Sequence, residues 1–75
     1  FLAPLITSDI EEGTELIDTI RVWLRNNCNV QQSAMELEVH RHTLTSRLDQ
    51  IALLIGSDLN DYQLRAELVF ALKYL

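Results

Sequence analysis

Residues 40–47 read His40-Arg41-His42-Thr43-Leu44-Thr45-Ser46-Arg47, seven polar or basic positions broken only by Leu44. Arginine carries a fixed fork of donors that pairs bidentately with a guanine edge or grips a phosphate. His, Thr and Ser are short donors and acceptors that reach base edges or phosphate oxygens. Arg41 suits either a guanine or a phosphate; His42, Thr45 and Ser46 suit base edges, with the Thr45 methyl available to thymine; Thr43 and Arg47 suit phosphates, and His40 sits at the tip. The set is basic inside an acidic chain. Residues 39–48 contain Arg41 and Arg47 and no carboxylate, a local charge of +2 with both histidines neutral, whereas the whole chain carries −5. Other chemistries fit poorly. His40 and His42 are two apart, on different sides of a helix, with no cysteine or third histidine nearby for a metal. Asp58-Leu59-Asn60-Asp61 lacks the glycine and the distant glutamate of a calcium loop. No glycine-rich phosphate loop and no scaffolded Ser/His/Asp set is present. The expectation is no enzyme, no cofactor and no metal.

A reading edge needs elements to hold it, and the spacing supplies helices. Proline occurs only at Pro4 and glycine only at Gly13 and Gly56, so only polar clusters punctuate the stretch between the glycines. After Gly13, Thr14 is a plausible N-cap with Glu15 in the first turn. Leu16, Ile20, Trp23 and Leu24 then share one face, with Arg21 and Arg25 opposite. Asn26-Asn27-Cys28-Asn29 closes that helix, and Asn29 caps the next, whose stripe is Val30, Ala34 and Leu37. Glu38-Val39 interrupts after about two turns. A longer helix starts near His40 with Leu44, Leu48, Ile51 and Ile55 inward, and Gly56 is a good residue to end it. A turn over 57–60 leads to a last helix from Asn60 or Asp61, with Leu64, Leu68, Ala71, Leu72 and Leu75 on one stripe. Residues 1–8 are expected to form one short helical turn, with Leu2, Leu5 and Ile6 packing back on the bundle.

Supporting helix, short helix, tight turn, longer helix is the trihelical layout of helix-turn-helix DNA binders. The fold expected is all-α, a trihelical helix-turn-helix core with flanking N- and C-terminal helices. Its helix-turn-helix segment is 29–55, and its recognition helix, about 40–55, enters the major groove. Asn29, Gln31 and Gln32, at the start of the short helix, offer amides and backbone N–H groups to a further phosphate. The acidic residues lie mostly in 9–18, 36–38 and 58–67; Glu36, Glu38 and Asp49 are the ones close to the contact edge. Asp49 would repel phosphate one turn along, which limits contact to the first turns of the helix.

Seventy-five residues are room for one domain, 1–75, and a chain this small buries only about 60% of its unfolded surface. No apolar run exceeds the five residues of Ile51–Ile55, far short of the roughly 18 residues of a membrane span. The start lacks a basic lead and a cleavage site, so no signal peptide is expected. The absence of an initiating Met suggests a fragment of a longer chain. Cys28 stands alone, which fits a reducing, cytoplasmic setting.

The residues Asn29-Val30, Ala34, Leu37-Glu38-Val39-His40-Arg41-His42-Thr43-Leu44, Arg47-Leu48 and Ile51 resemble the C-terminal helix-turn-helix of the PucR / sugar-diacid (CdaR-like) regulator family. The likeness extends upstream through Leu16–Leu24 and downstream through Gly56–Leu59 to Ala66–Leu68, nearly the whole chain. The second helix is similar in style to the DNA-binding end of the factor-for-inversion-stimulation (Fis) class. The resemblance implies the output module of a bacterial transcription regulator that binds duplex DNA, with a metabolite sensed by domains preceding this one. It also implies that His40, Arg41, Thr43 and Arg47 lie near DNA. The chain departs from the family pattern at His42, where Asn is usual, and at Thr45 and Ser46, where Arg and an aromatic are common. Glu38 stands where a glycine, small or apolar residue is often found.

Two alternatives stay open. Val69, Phe70 and Tyr74 on the last helix, and Leu53 and Leu54 on the recognition helix, fall off the core stripes. Either the terminal segment and the extra helix bury them within one chain, or a homodimer does, which would suit two half-sites one DNA turn apart. The rival to DNA binding is an acidic helical protein-interaction or dimerisation module.

Overall fold

A computed structural model describes residues 2–75 as five helices: α1 Ala3–Glu12, α2 Leu16–Arg25, α3 Val30–Leu37, α4 Arg41–Ile55 and α5 Tyr62–Lys73. No strand occurs among the described residues, and the fold is the all-α helix-turn-helix arrangement expected. None of the helices is long and apolar enough to cross a membrane.

The centre is α2, which packs against α1, α3, α4 and α5; α1 and α3 each also lie on α4, while α5 touches α2 alone. Its sequence explains the role. Leu16, Ile20, Val22 and Trp23 are all buried, so apolar residues wrap more than one face of a ten-residue helix. Val22 is a core position that the single-stripe reading does not pick out. Leu5, Leu16, Ile20, Leu44, Ile51 and Leu68 are fully buried and draw all the helices except α3 into one core, to which α3 adds Ala34. Truncating any one of these leucines to alanine costs about 2–5 kcal/mol. The small Ala34 lets α3 approach closely, and half-buried Val39 plugs the turn between α3 and α4.

Buried polar groups are satisfied locally. The Ser33 hydroxyl donates to the Asn29 carbonyl at 2.6 Å, and the Thr19 hydroxyl to the Glu15 carbonyl at 2.6 Å. The indole N–H of Trp23 is the exception, buried with no partner among the described residues.

Two expectations at the N-terminal end are corrected. The segment expected to make one short turn over 1–8 is a ten-residue helix, α1, that runs to Glu12 and stops at Gly13 with φ 69°. Phe1, included in that expected turn, lies outside the described residues. The second correction concerns the start of α2. Thr14 does not cap it, and Glu15, at the cap position, makes no side-chain cap bond. Asp9, on α1, does the capping from seven residues away: its carboxylate accepts from the Leu16 N–H at 2.8 Å and the Ile17 N–H at 3.2 Å. The Thr14 hydroxyl donates to the same carboxylate. The negative charge sits at the positive end of the α2 dipole. Burial pushes the Asp9 carboxyl up, but the bonds from Thr14, Leu16 and Ile17 together outweigh it, and the net position is below the ordinary carboxylate value.

At the other end, Leu75 lies past the close of α5 and is exposed, not part of its buried stripe. Leu2 and Leu5 are buried and Ile6 packs on the core as expected. However, α1 docks on α2 and α4 and does not reach α5. Val69, Phe70 and Tyr74 therefore remain exposed, as does Leu53, and only Leu54 gains partial cover.

Candidate nucleic-acid interface

Each boundary of the helix-turn-helix is set by an identifiable residue. Asn29 caps α3, its Oδ1 accepting from the Gln32 N–H at 2.9 Å. This acceptor is occupied, and what α3 offers outward is the N–H groups of its first turn, Val30 and Gln31, which have no intrahelical acceptor. Asn29, Gln31 and Gln32 are all exposed there.

The turn between α3 and α4 hinges on Glu38, whose φ 56° and ψ 40° place it in the left-handed region. The Val39 N–H bonds back to the Ala34 carbonyl at 3.0 Å, closing the end of α3. An L-residue is strained in that conformation and glycine is not. The backbone thus accounts for the glycine often found at this position in the resembling family.

His40 caps α4. Its Nδ1 accepts from the His42 N–H at 3.3 Å, and because His40 is the extended cap and not part of the helix, the two imidazoles do not lie on different sides as expected but stack, with centroids 5.2 Å apart and planes 11° from parallel. The capping geometry puts the ring proton of neutral His40 on Nε2, so a donor faces away from the helix. Leu44 and Leu48 anchor the helix in the core, which leaves Arg41, His42, Thr43 and Ser46 exposed as one polar edge. The two short residues differ in availability. Thr45 is half-buried and its hydroxyl bonds to the Arg41 and His42 carbonyls at 3.3 and 3.1 Å, whereas Ser46 is exposed.

Arg47 is set apart from the others. Its guanidinium reaches back to α2, donating to the Thr19 hydroxyl at 3.3 Å and lying 3.5 Å from the Glu15 carboxylate, with the side chain 24% exposed. It ties α4 to α2. The residue that holds it, Thr19, is fully buried; as a threonine among apolar neighbours it carries little sequence signal.

The acidic residues near this edge also separate. Glu36 pairs with Arg25 and accepts from the Asn26 amide at 3.1 Å, which neutralises much of its field. Glu38 and Asp49 are exposed and make no ion pair among the described residues.

A short capped helix, a tight left-handed turn and a core-anchored helix with a polar leading edge define a helix-turn-helix domain. The chain belongs to the PucR C-terminal helix-turn-helix domain family, which it matches over residues 16–74. It is 39% identical to the proline-responsive transcriptional activator PutR of Bacillus subtilis over 67 residues, 89% of this chain and 16% of that protein. It is 33% identical to the purine catabolism regulatory protein of the same organism over 63 residues, 84% of this chain and 12% of that protein. A protein of Thermomonospora curvata without assigned function is 34% identical over 71 residues, 95% of this chain and 39% of that protein. The chain thus spans a small part of the length of these relatives. No solved structure matches it. The family is one of transcription-regulator domains, which is not a class of enzyme.

Proposed function

We propose that the chain binds duplex DNA sequence-specifically as the output domain of a bacterial, cytoplasmic, metabolite-responsive transcription regulator. Residues 1–75 act as one unit, 29–55 form its helix-turn-helix, and α4 enters the major groove. Effector sensing belongs to further domains of the regulator, a reading supported by one relative named as proline-responsive and another named as a regulator of purine catabolism.

The observation that carries the reading is the leading edge of α4. Arg41, His42, Thr43 and Ser46 stand exposed on a helix whose Leu44 and Leu48 are locked in the core, so the edge is rigid before DNA arrives. Arg41 and His42 read bases with Ser46, and the Thr45 methyl packs against a thymine while its hydroxyl stays on the helix. Thr43, the outward Nε2–H of His40 and the start of α3 with Asn29, Gln31 and Gln32 fix register on phosphates. Arg47 reaches phosphate by exchanging Glu15 for the backbone. With few cations at this edge, one copy binds weakly, and two copies on one DNA gain through avidity.

Salt separates this reading from that of an acidic protein-interaction module. With Arg41 and Arg47 as the cations of the edge, log K for one copy falls against log salt with a slope of about −2. The measurement is fluorescence anisotropy of a labelled fragment of the regulator's own promoter. If even a dimerised form shows no binding at low salt, the DNA reading fails and the interaction module takes its place.

A further inference from the structure

The basic residues of this acidic chain are not mainly at the reading edge. Four of the six, Arg21, Arg25, Arg65 and Lys73, line the seam between α2 and α5. The floor of that seam is apolar: Leu24, Val69 and Leu72 line a groove of about 290 Å³ whose rim is Arg21, Arg25 and Lys73. Exposed Phe70 and Tyr74, their rings 5.1 Å apart, continue the apolar surface along α5. The charge there is only partly neutralised. Arg25 pairs with Glu36, and Arg21 lies 3.8 Å from Asp18 in an exposed contact of small worth. Lys73 and Arg65 face no carboxylate at ion-pair distance among the described residues.

The same chain carries a surface of opposite sign. A groove of about 440 Å³ between α1 and α4 is lined by Ala3, Pro4, Thr7, Ser8 and Leu54 together with Glu11 and Glu12. Ile10, elsewhere on α1, is 78% exposed. Exposed apolar surface such as that of the seam marks a contact site on a small domain, and here the cationic rim of the seam is complementary to the two carboxylates of the α1–α4 groove. Seam against seam in two copies would set cation against cation, which disfavours a two-fold pairing through α5. Because α5 touches only α2, a molecule seated on the seam leaves the leading edge of α4 uncovered.

We infer that the cationic α2–α5 seam of one copy receives the acidic α1–α4 face of a second copy, in a head-to-tail contact. Such a contact is heterologous, so copies add one after another, into a ring where the rotation closes and into an open chain where it does not. It does not depend on the DNA reading, because its test is self-association in the absence of duplex DNA.

The test is sedimentation velocity of the 75-residue chain from micromolar to millimolar concentration, at low and high salt. Two charge-reversed forms are compared with the unaltered chain: R21E with K73E on the seam, and E11K with E12K on the acidic face. All changed residues are exposed, and circular dichroism verifies the fold of each form. The unaltered chain is expected to grow beyond dimers with concentration and to dissociate with salt. Each reversed form alone stays monomeric. An equimolar mixture of the two associates again, because each seam then meets a face of opposite sign. L53D, on an exposed residue outside both surfaces, leaves association intact. A chain that stays monomeric throughout, an assembly that stops at a closed dimer, a mixture that fails to associate, or loss of association in L53D would each overturn the inference. If the chain is monomeric yet its seam captures a short single-stranded oligonucleotide, the seam serves nucleic acid instead.

Discussion

Replacing Glu38 with glycine tests whether the turn between α3 and α4 carries backbone strain. Glu38 sits at φ 56°, where an L-residue is disfavoured by roughly 1–2 kcal/mol relative to its right-handed conformation. Glycine escapes that cost but loses about 0.5–1 kcal/mol more conformational entropy on folding. The difference favours glycine by about 0.5–1 kcal/mol, or about 2–8 °C in Tm for a domain of this size. No ion pair opposes the change, because Glu38 makes none among the described residues. Glu38→Gly also removes an exposed carboxylate two residues before the His40 cap, which strengthens DNA binding by up to about 0.5 kcal/mol, roughly twofold in Kd. Glu38→Gln separates the two effects, since it removes the charge and keeps the strained backbone. Thermal melts followed by circular dichroism are expected to place glycine above both glutamate and glutamine, while anisotropy with a promoter fragment places both variants above the parent. Equal melting temperatures for the glycine and glutamine variants would refute the strain argument.

Three further outcomes follow from other side chains. Asp9→Ala removes the carboxylate that caps α2 and costs about 1–2 kcal/mol in denaturant melts. Because folding holds the Asp9 carboxyl below its ordinary value, its contribution is full above the unfolded pKa of about 3.9 and is lost as pH falls through the lower folded value; an Asp9→Ala chain whose stability falls just as steeply over that acid range would contradict this. Arg41→Ala and Arg47→Ala are expected to differ. Arg41→Ala weakens specific binding by about 1–3 kcal/mol and leaves the melt unchanged, whereas Arg47→Ala also lowers stability by about 0.5–1.5 kcal/mol through its lost bonds to Thr19 and Glu15; identical melts for the two would remove the tie between α4 and α2. Burial pushes the Cys28 thiol above its ordinary value despite the nearby Arg65 charge, so iodoacetamide modifies it more slowly at neutral pH than it modifies free cysteine; an equal or faster rate would contradict its half-buried placement.

What the residues disclose in advance divides along local and non-local lines. The starts of α3, α4 and α5 and the stop of α4 follow from single residues next to the helix they serve: Asn29, His40, Asp61 and Gly56 act within a turn of their own positions. The start of α2 does not, because its cap comes from Asp9, across Gly13 on another helix. The extent of α1 is hidden for a related reason. Its first residues show no capping side chain, and its burial depends on a groove made by α2 and α4. The reading edge is legible from spacing, since Leu44 and Leu48 dictate what must face outward. The inward turn of Arg47 is not, because its partner Thr19 lies twenty-eight positions away. The cationic seam is also invisible along the chain, because Arg21 and Lys73 come together only when α5 lies on α2.

The core carries its own optical reporter. Trp23 is the chain's sole tryptophan, buried to 5% exposure, with the guanidinium of Arg65 from α5 stacked 5.2 Å from its ring centre. It is not one of the residues assigned to DNA contact. Its emission therefore registers the packing of the core around α2, the seating of α5 included, without a label and without a base stacking on the indole.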